Sequence, residues 1–121
     1  MKWVLWLNTI GETIIAIGMF SAPASFFPGA EGLSSAIARA FSFAILAVAF
    51  ISFTLTRQGV SHETLKNGVG ILIFYHLFQL IAQFVNASMY PPLLIPPVVI
   101  HTIYTALFVA YMMQLQKGPA K

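Results

Sequence analysis

The side chains of this chain that could do chemistry are few and stand inside long apolar stretches. His76, Gln79, Gln83 and Asn86 follow one another at intervals of three, four and three residues, so an α-helix would place them on one face. Imidazole and carboxamide groups donate and accept hydrogen bonds, and imidazole also transfers protons and binds metals. The spacing therefore predicts a helix whose polar stripe faces other polar groups.

Three further ionisable side chains, Glu12, Arg39 and His101, interrupt other apolar stretches, and Tyr104 follows His101 by three residues. A charged group that faces hydrocarbon costs about 2.5 to 3.5 kcal/mol on insertion scales. We therefore expect Glu12 and Arg39 to turn inward and to meet the histidines. The residues predicted to bind a ligand in this way are Glu12, Arg39, His76, Gln79, Gln83, His101 and Tyr104.

The composition indicates which environment must hold these groups. Of 121 residues, 59% are hydrophobic and 7% are charged, whereas a soluble domain is about a quarter charged. So few charges cannot cover a water-soluble globule, which leaves lipid as the solvent. Because about 20 apolar residues are needed for each crossing, the length allows four helices and no second domain outside the membrane.

Proline, glycine and charged stretches divide the chain into four apolar segments. The predicted helices span about residues 3–22, 34–56, 67–88 and 97–116. Proline disfavours helix in the residue before it but suits a helix's first turn, so Pro23 ends the first segment and Pro96-Pro97 opens the fourth. Lipid permits only helices or closed barrels, and the alternating pattern of a barrel strand is missing. We predict an all-α fold, an integral membrane four-helix bundle that forms one domain.

The basic residues fall on one side of this arrangement. Those on the side of both termini are Lys2, Arg57, Lys66, Lys117 and Lys121, whereas the loops at 21–33 and 89–96 hold no Lys or Arg. The positive-inside rule then predicts cytoplasmic termini and a multi-pass protein of the cell inner (plasma) membrane. A cleaved signal peptide at 1–24 is the rival interpretation, and Glu12 and Asn8-Thr9 disfavour it because they interrupt its apolar region.

Depth along the helices predicts where the polar groups meet. At ~1.5 Å per residue, Glu12 and His76 lie near the midplane, whereas Arg39, Gln83 and His101 lie in the outer half of the bundle. This predicts a polar pocket open to the exterior side. The same count offsets His76 from His101 by ~8 Å, which disfavours haem ligation by the pair. Glu12, His76 and His101 suit a metal by ligand type but match no metal-binding spacing, so we predict no metal and no cofactor.

Several other function classes are excluded. With no cysteine in the chain, disulfides, thiolate nucleophiles and iron–sulfur clusters drop out. A net charge of +3 from scattered residues lacks the clustered basic face that nucleic acid requires. Phosphate loops, nucleophile elbows and zincin motifs are missing from the sequence, and we interpret His62-Glu63 as a solvated turn. Ala36, Ala40 and Ala44 form a ridge of small residues, read first as packing within the bundle and second as a subunit contact.

Four sequence features resemble a known family. They are Pro-x-x-Phe-Phe-Pro-Gly at Pro23 to Gly29, the pair Ala38-Arg39, the pair Tyr75-His76 and an early His101 in the fourth segment. The chain resembles the small, mostly bacterial four-helix membrane proteins grouped as DoxX-like or of unknown function. That resemblance implies an inner-membrane bundle with a shared intramembrane Arg and His, and some DoxX relatives are membrane subunits of quinone-linked oxidoreductases. Sterol-isomerase-like bundles are more distant, because Glu12 lacks their second carboxylate.

Three functions follow as hypotheses. The first is a non-catalytic accessory or assembly subunit, with the bilayer and other membrane subunits or further copies of itself as partners. The second is a binding module that holds a lipophilic molecule with a polar head, such as a quinone, sterol or lipid, in the polar pocket. The third is an enzyme that uses Glu12 or His76 as proton donor or acceptor on such a molecule.

Overall fold

Every regular element in the computed structural model is a helix, across residues 1–27, 29, 31–85 and 95–117, which are the residues it describes. The elements are α1 (Trp3–Ser21), α2 (Pro23–Phe26), α3 (Gly32–Thr56), α4 (His62–Val85) and α5 (Ile95–Gln116). All but α2 are long and apolar enough to cross a membrane. The predicted all-α class is confirmed, and so is the number of long apolar helices in the described part of the chain.

The start of α4 differs most from the prediction. The helix begins at His62 rather than at 67, and Glu63 lies in its first turn. Ser61 explains the difference, because its Oγ accepts a hydrogen bond from the Thr64 N–H at 3.0 Å and so caps the helix. His62-Glu63 is exposed, as expected, but belongs to a helix and not to a turn. The predicted end at residue 88 lies outside the described residues.

Helices α1 and α3 pack together as an antiparallel pair. Asn8 Nδ2 donates a hydrogen bond to Ser52 Oγ at 2.7 Å near one end, and Arg39 Nε donates one to the Phe20 carbonyl at 3.2 Å near the other. The buried face of α3 consists of Ala38, Ser42, Ile45, Ala49, Ser52 and Leu55. This face is mostly small, which lets the helices approach closely. The exposed ridge of Ala36, Ala40 and Ala44 is not part of it.

A single helical turn, α2, starts the connection between α1 and α3. Pro23 stands at its first positions, where a missing N–H and a fixed φ suit helix initiation. Phe26 then lies against α1, so a Cβ at Gly18 would come within 2.9 Å of the Phe26 ring. Glycine at position 18 therefore lets α2 turn back onto α1, in a stretch predicted as an exterior loop.

Helices α4 and α5 form the second pair. His76 contacts His101, and earlier on α4 a Cβ at Gly70 would lie 3.7 Å from Met112 Cε near the end of α5. Since the earlier residue on α4 contacts the later residue on α5, this pair is also antiparallel. Its buried side chains include Val69 and Leu72 from α4 and Phe108 and Tyr111 from α5.

Candidate functional site

The α4–α5 pair encloses two histidines that contact each other. His76 Nδ1 lies 3.0 Å from His101 Nδ1, and the two residues are 0% and 9% exposed. This separation is within the range of an N–H···N hydrogen bond. One ring must then carry its proton on Nδ1 and the other on Nε2, so the bond fixes opposite tautomers in the two neutral rings.

Aromatic rings surround His76 within the same helix pair. Tyr104 and Phe108 of α5 stack on it with ring centroids 4.8 and 5.6 Å away and interplanar angles of 21° and 18°. The Tyr75 ring meets His76 edge-on at 5.0 Å and His101 at 6.3 Å. Thr105 Oγ1 donates to the His101 carbonyl at 2.7 Å. His76 is thus held in place by rings on several sides, which fixes its orientation towards His101.

The predicted depth offset between the two histidines is wrong. The Nδ1 atoms of His76 and His101 lie 3.0 Å apart and their ring centroids 5.3 Å apart, so the two imidazole rings lie side by side and not ~8 Å apart in depth.

The polar stripe on α4 is only partly enclosed. His76 is buried, whereas Gln79 and Gln83 are half-buried. Asn86, the last member of the predicted stripe, lies outside the described residues. Of the predicted ligand-binding residues on this pair, the structure brings His76, His101 and Tyr104 into contact. Gln83 stands seven residues beyond His76, which is ~10 Å further along the helix.

Glu12 is buried, as predicted for an intramembrane carboxylate, with 1% of its surface exposed. It belongs to the α1–α3 pair, as does Arg39, whereas the two histidines belong to α4–α5. Each pair forms a compact unit of its own. The single pocket predicted from all seven residues therefore stays a prediction.

Arg39 does not turn inward as predicted. It is exposed, and its Nε donates a hydrogen bond to the carbonyl of Phe20 near the C-terminal end of α1. The antiparallel register places Arg39 level with Phe20, eight residues and ~12 Å along α1 from Glu12. The expected inward position was wrong. The side chain of an arginine near a helix end is long enough to place its guanidinium at the interface instead of inside the protein.

The structure also contains a polar contact that sequence reasoning missed. Asn8 and Ser52 are both fully buried and bonded to each other at 2.7 Å. The next residue is Thr9, whose Oγ1 donates to the Leu5 carbonyl at 2.8 Å and lies 3.5 Å from the Ala49 carbonyl. The available signal was that Ser52 shares a helical face with Ser42 and Ala49, a small-residue stripe opposite the polar Asn8.

The chain was compared with protein-family models, with curated proteins and with solved structures, and no match was found in any of the three.

Proposed function

We propose that this chain is a non-catalytic accessory or assembly subunit of a membrane protein complex. The observation that carries the proposal is that buried polar side chains within each helix pair bond to one another. Asn8 bonds to Ser52 in one pair, and His76 contacts His101 in the other. Side chains used in this way set how two helices register rather than presenting reactive atoms to a substrate.

The enclosure of His76 supports the same proposal. A catalytic base or acid must come within hydrogen-bond reach of the atom whose proton it moves. His76 is 0% exposed, its Nδ1 contacts His101, and the Tyr104 and Phe108 rings pack against its imidazole. A substrate would have to displace these rings first.

The outward faces of α1 and α3 carry apolar and small side chains, which suit contact with lipid and with other helices. On α1 the exposed residues include Ile10, Ile14 and Ile17, each more than half exposed. On α3 the ridge of Ala36, Ala40 and Ala44 is exposed as well. Small residues on an outward face let a second helix come close in lipid, where packing and not hydrophobicity drives association. The resemblance to DoxX-like proteins, some of which are membrane subunits, is part of this proposal.

Purification in a mild detergent tests the proposal. We expect an affinity-tagged chain to carry an integral membrane protein, or a further copy of itself, in a fixed molar ratio measured by mass spectrometry. Ala40→Phe should lose that partner while the chain stays folded, because it removes the close approach. Ile37→Phe is the matched control, since Ile37 is exposed on the same helix and already bulky. Recovery of a monodisperse single chain without a partner would contradict the proposal.

We further propose that the protein spans the inner membrane with both termini in the cytoplasm. The basic residues on the termini side support this orientation. Because the chain has no cysteine, single cysteines can report sidedness. We expect a membrane-impermeant thiol reagent to label Glu31→Cys in intact cells but His62→Cys only after lysis. The reverse labelling pattern would refute the orientation.

A second function is favoured by one observation on α4–α5. His101 keeps 9% of its surface exposed and Tyr75 is half-buried beside it. Together they could offer a polar edge to the head of a quinone, sterol or other lipid. In that case the purified chain would carry one discrete lipophilic compound per molecule, and His101→Leu would release it while Gln83→Leu would not.

A further inference from the structure

Arg39 is the charged side chain that the α1–α3 pair leaves at its surface within an apolar helix. It follows Gly32, the first residue of α3, by seven positions and is exposed. The structure gives its guanidinium one hydrogen bond among the described residues, from Nε to the Phe20 carbonyl at 3.2 Å. A guanidinium has five N–H groups in a planar fork. The Phe20 bond uses only the Nε–H group, so the N–H groups of the two terminal nitrogens remain for other acceptors.

The position of Arg39 along α3 lets its guanidinium reach the membrane surface. A helix of 25 residues is ~37 Å long and exceeds a hydrocarbon core of ~30 Å, so its ends pass into the interface. Arg39 lies ~10 Å from the start of α3. Helical side chains lean towards the N-terminus, which is the nearer end here. Ser35 and Ala36, one turn earlier, are small and leave that path open.

The bond to Phe20 fixes where the guanidinium stands. Phe20 is the penultimate residue of α1, and the carbonyl groups at a helix C-terminus attract cations. Glu31 stands eight residues before Arg39, ~12 Å along the helix axis, which is too far for a direct ion pair. The Phe20 and Phe43 rings meet edge-on at 5.6 Å and both are exposed. Arg39 is therefore exposed on a surface that also carries two exposed rings, with Phe43 one helical turn after it on α3.

We propose that Arg39 binds the phosphodiester of a membrane phospholipid, with its terminal NH₂ groups on the phosphate oxygens and the acyl chains along Phe20 and Phe43. Guanidinium recognises phosphate with two parallel hydrogen bonds, and such charge-assisted bonds are stronger than neutral ones. An arginine that reaches the interface meets phosphates there, whereas hydrocarbon offers no counter-charge. This site requires the proposed membrane location, but it does not require a partner subunit.

The test uses the full chain, stripped of lipid in detergent. Phosphatidylglycerol is added, and bound lipid is counted by native mass spectrometry while the melting temperature is recorded. We expect the wild type to hold one phosphatidylglycerol more tightly than Arg39→Gln by about tenfold, the loss expected for one charge-assisted contact. Arg39→Lys should fall between them, because it keeps the charge but loses the fork. Arg57→Gln is the control, since Arg57 lies after α3 ends and over the Phe53 ring.

Diacylglycerol and inorganic phosphate, each added separately, distinguish a lipid phosphate from free phosphate as the ligand. Diacylglycerol with the same acyl chains should not compete, and inorganic phosphate should not raise the melting temperature. Equal binding by wild type and Arg39→Gln would overturn the proposal, as would equal competition by diacylglycerol or stabilisation by inorganic phosphate alone. Carbonate extraction of cell membranes distinguishes the two failures: a chain that washes off contradicts the membrane location, whereas a retained chain with unchanged lipid binding contradicts the Arg39 site.

Discussion

Replacing His76 with alanine is expected to lower the free energy of unfolding by about 3 kcal/mol. Two losses add here. Removal of the imidazole leaves a cavity beside Tyr104 and Phe108, and His101 loses the partner of its Nδ1 in a buried setting. A buried polar group without its partner costs about 1 to 3 kcal/mol by itself. Reversible unfolding in mixed detergent, followed by circular dichroism, measures the change.

Two comparisons separate the hydrogen bond from the packing. His62→Ala removes an exposed imidazole from the start of the same helix and should change stability by less than about 0.5 kcal/mol. The double variant His76→Phe with His101→Phe keeps two rings and removes both polar groups, which can be nearly neutral. If His76→Ala unfolded like the wild type, the paired histidines would not contribute to holding α4 against α5.

Replacing Phe108 with alanine is expected to cost about 2 kcal/mol, mostly from the cavity that it leaves. Phe108 is 0% exposed and the largest fully buried side chain in the described part of the chain. In the proposed membrane location the unfolded helix would keep its apolar surroundings, so the transfer part of the usual loss would be small and the packing part would dominate. The loss should be smaller than for His76→Ala, since no polar group loses a partner.

The neighbouring residue offers the matched control for Phe108. Val109 follows it on α5 and is 41% exposed, so Val109→Ala should leave the unfolding midpoint within about 0.5 kcal/mol of the wild type. Phe108→Ala should also loosen His76, because its ring stacks on the imidazole at 5.6 Å. Broadened histidine ring signals in NMR would show this, whereas sharp wild-type signals would contradict it.

The four long helices were predictable because the physical signal is strong and local. A run of about 20 apolar residues between prolines or charges has one stable form in lipid. The helix ends were less predictable, as α4 shows. Ser61 caps that helix five residues earlier than predicted, and an N-cap depends on one side chain rather than on a long pattern.

The contacts between helices were only partly predictable. Spacing placed His76 on a polar stripe, but whether His101 lies at the same depth depends on how two helices slide past each other. The Asn8–Ser52 bond was missed for the same reason, since the small-residue face of α3 indicates where a helix packs but not which of its residues meets Asn8. Arg39 was misplaced because the cost of a charge in hydrocarbon was applied at its Cα, although the side chain can carry the charge several ångströms away.

The bond between Asn8 and Ser52 can form before synthesis of the chain is complete. Both residues lie in the first 57 positions, in the compact unit Lys2–Arg57, so this contact needs nothing that is synthesised later. The first two long helices can therefore join while the ribosome is still translating α4 and α5. An asparagine entering lipid alone would be costly, and early pairing gives it a partner before biosynthesis ends.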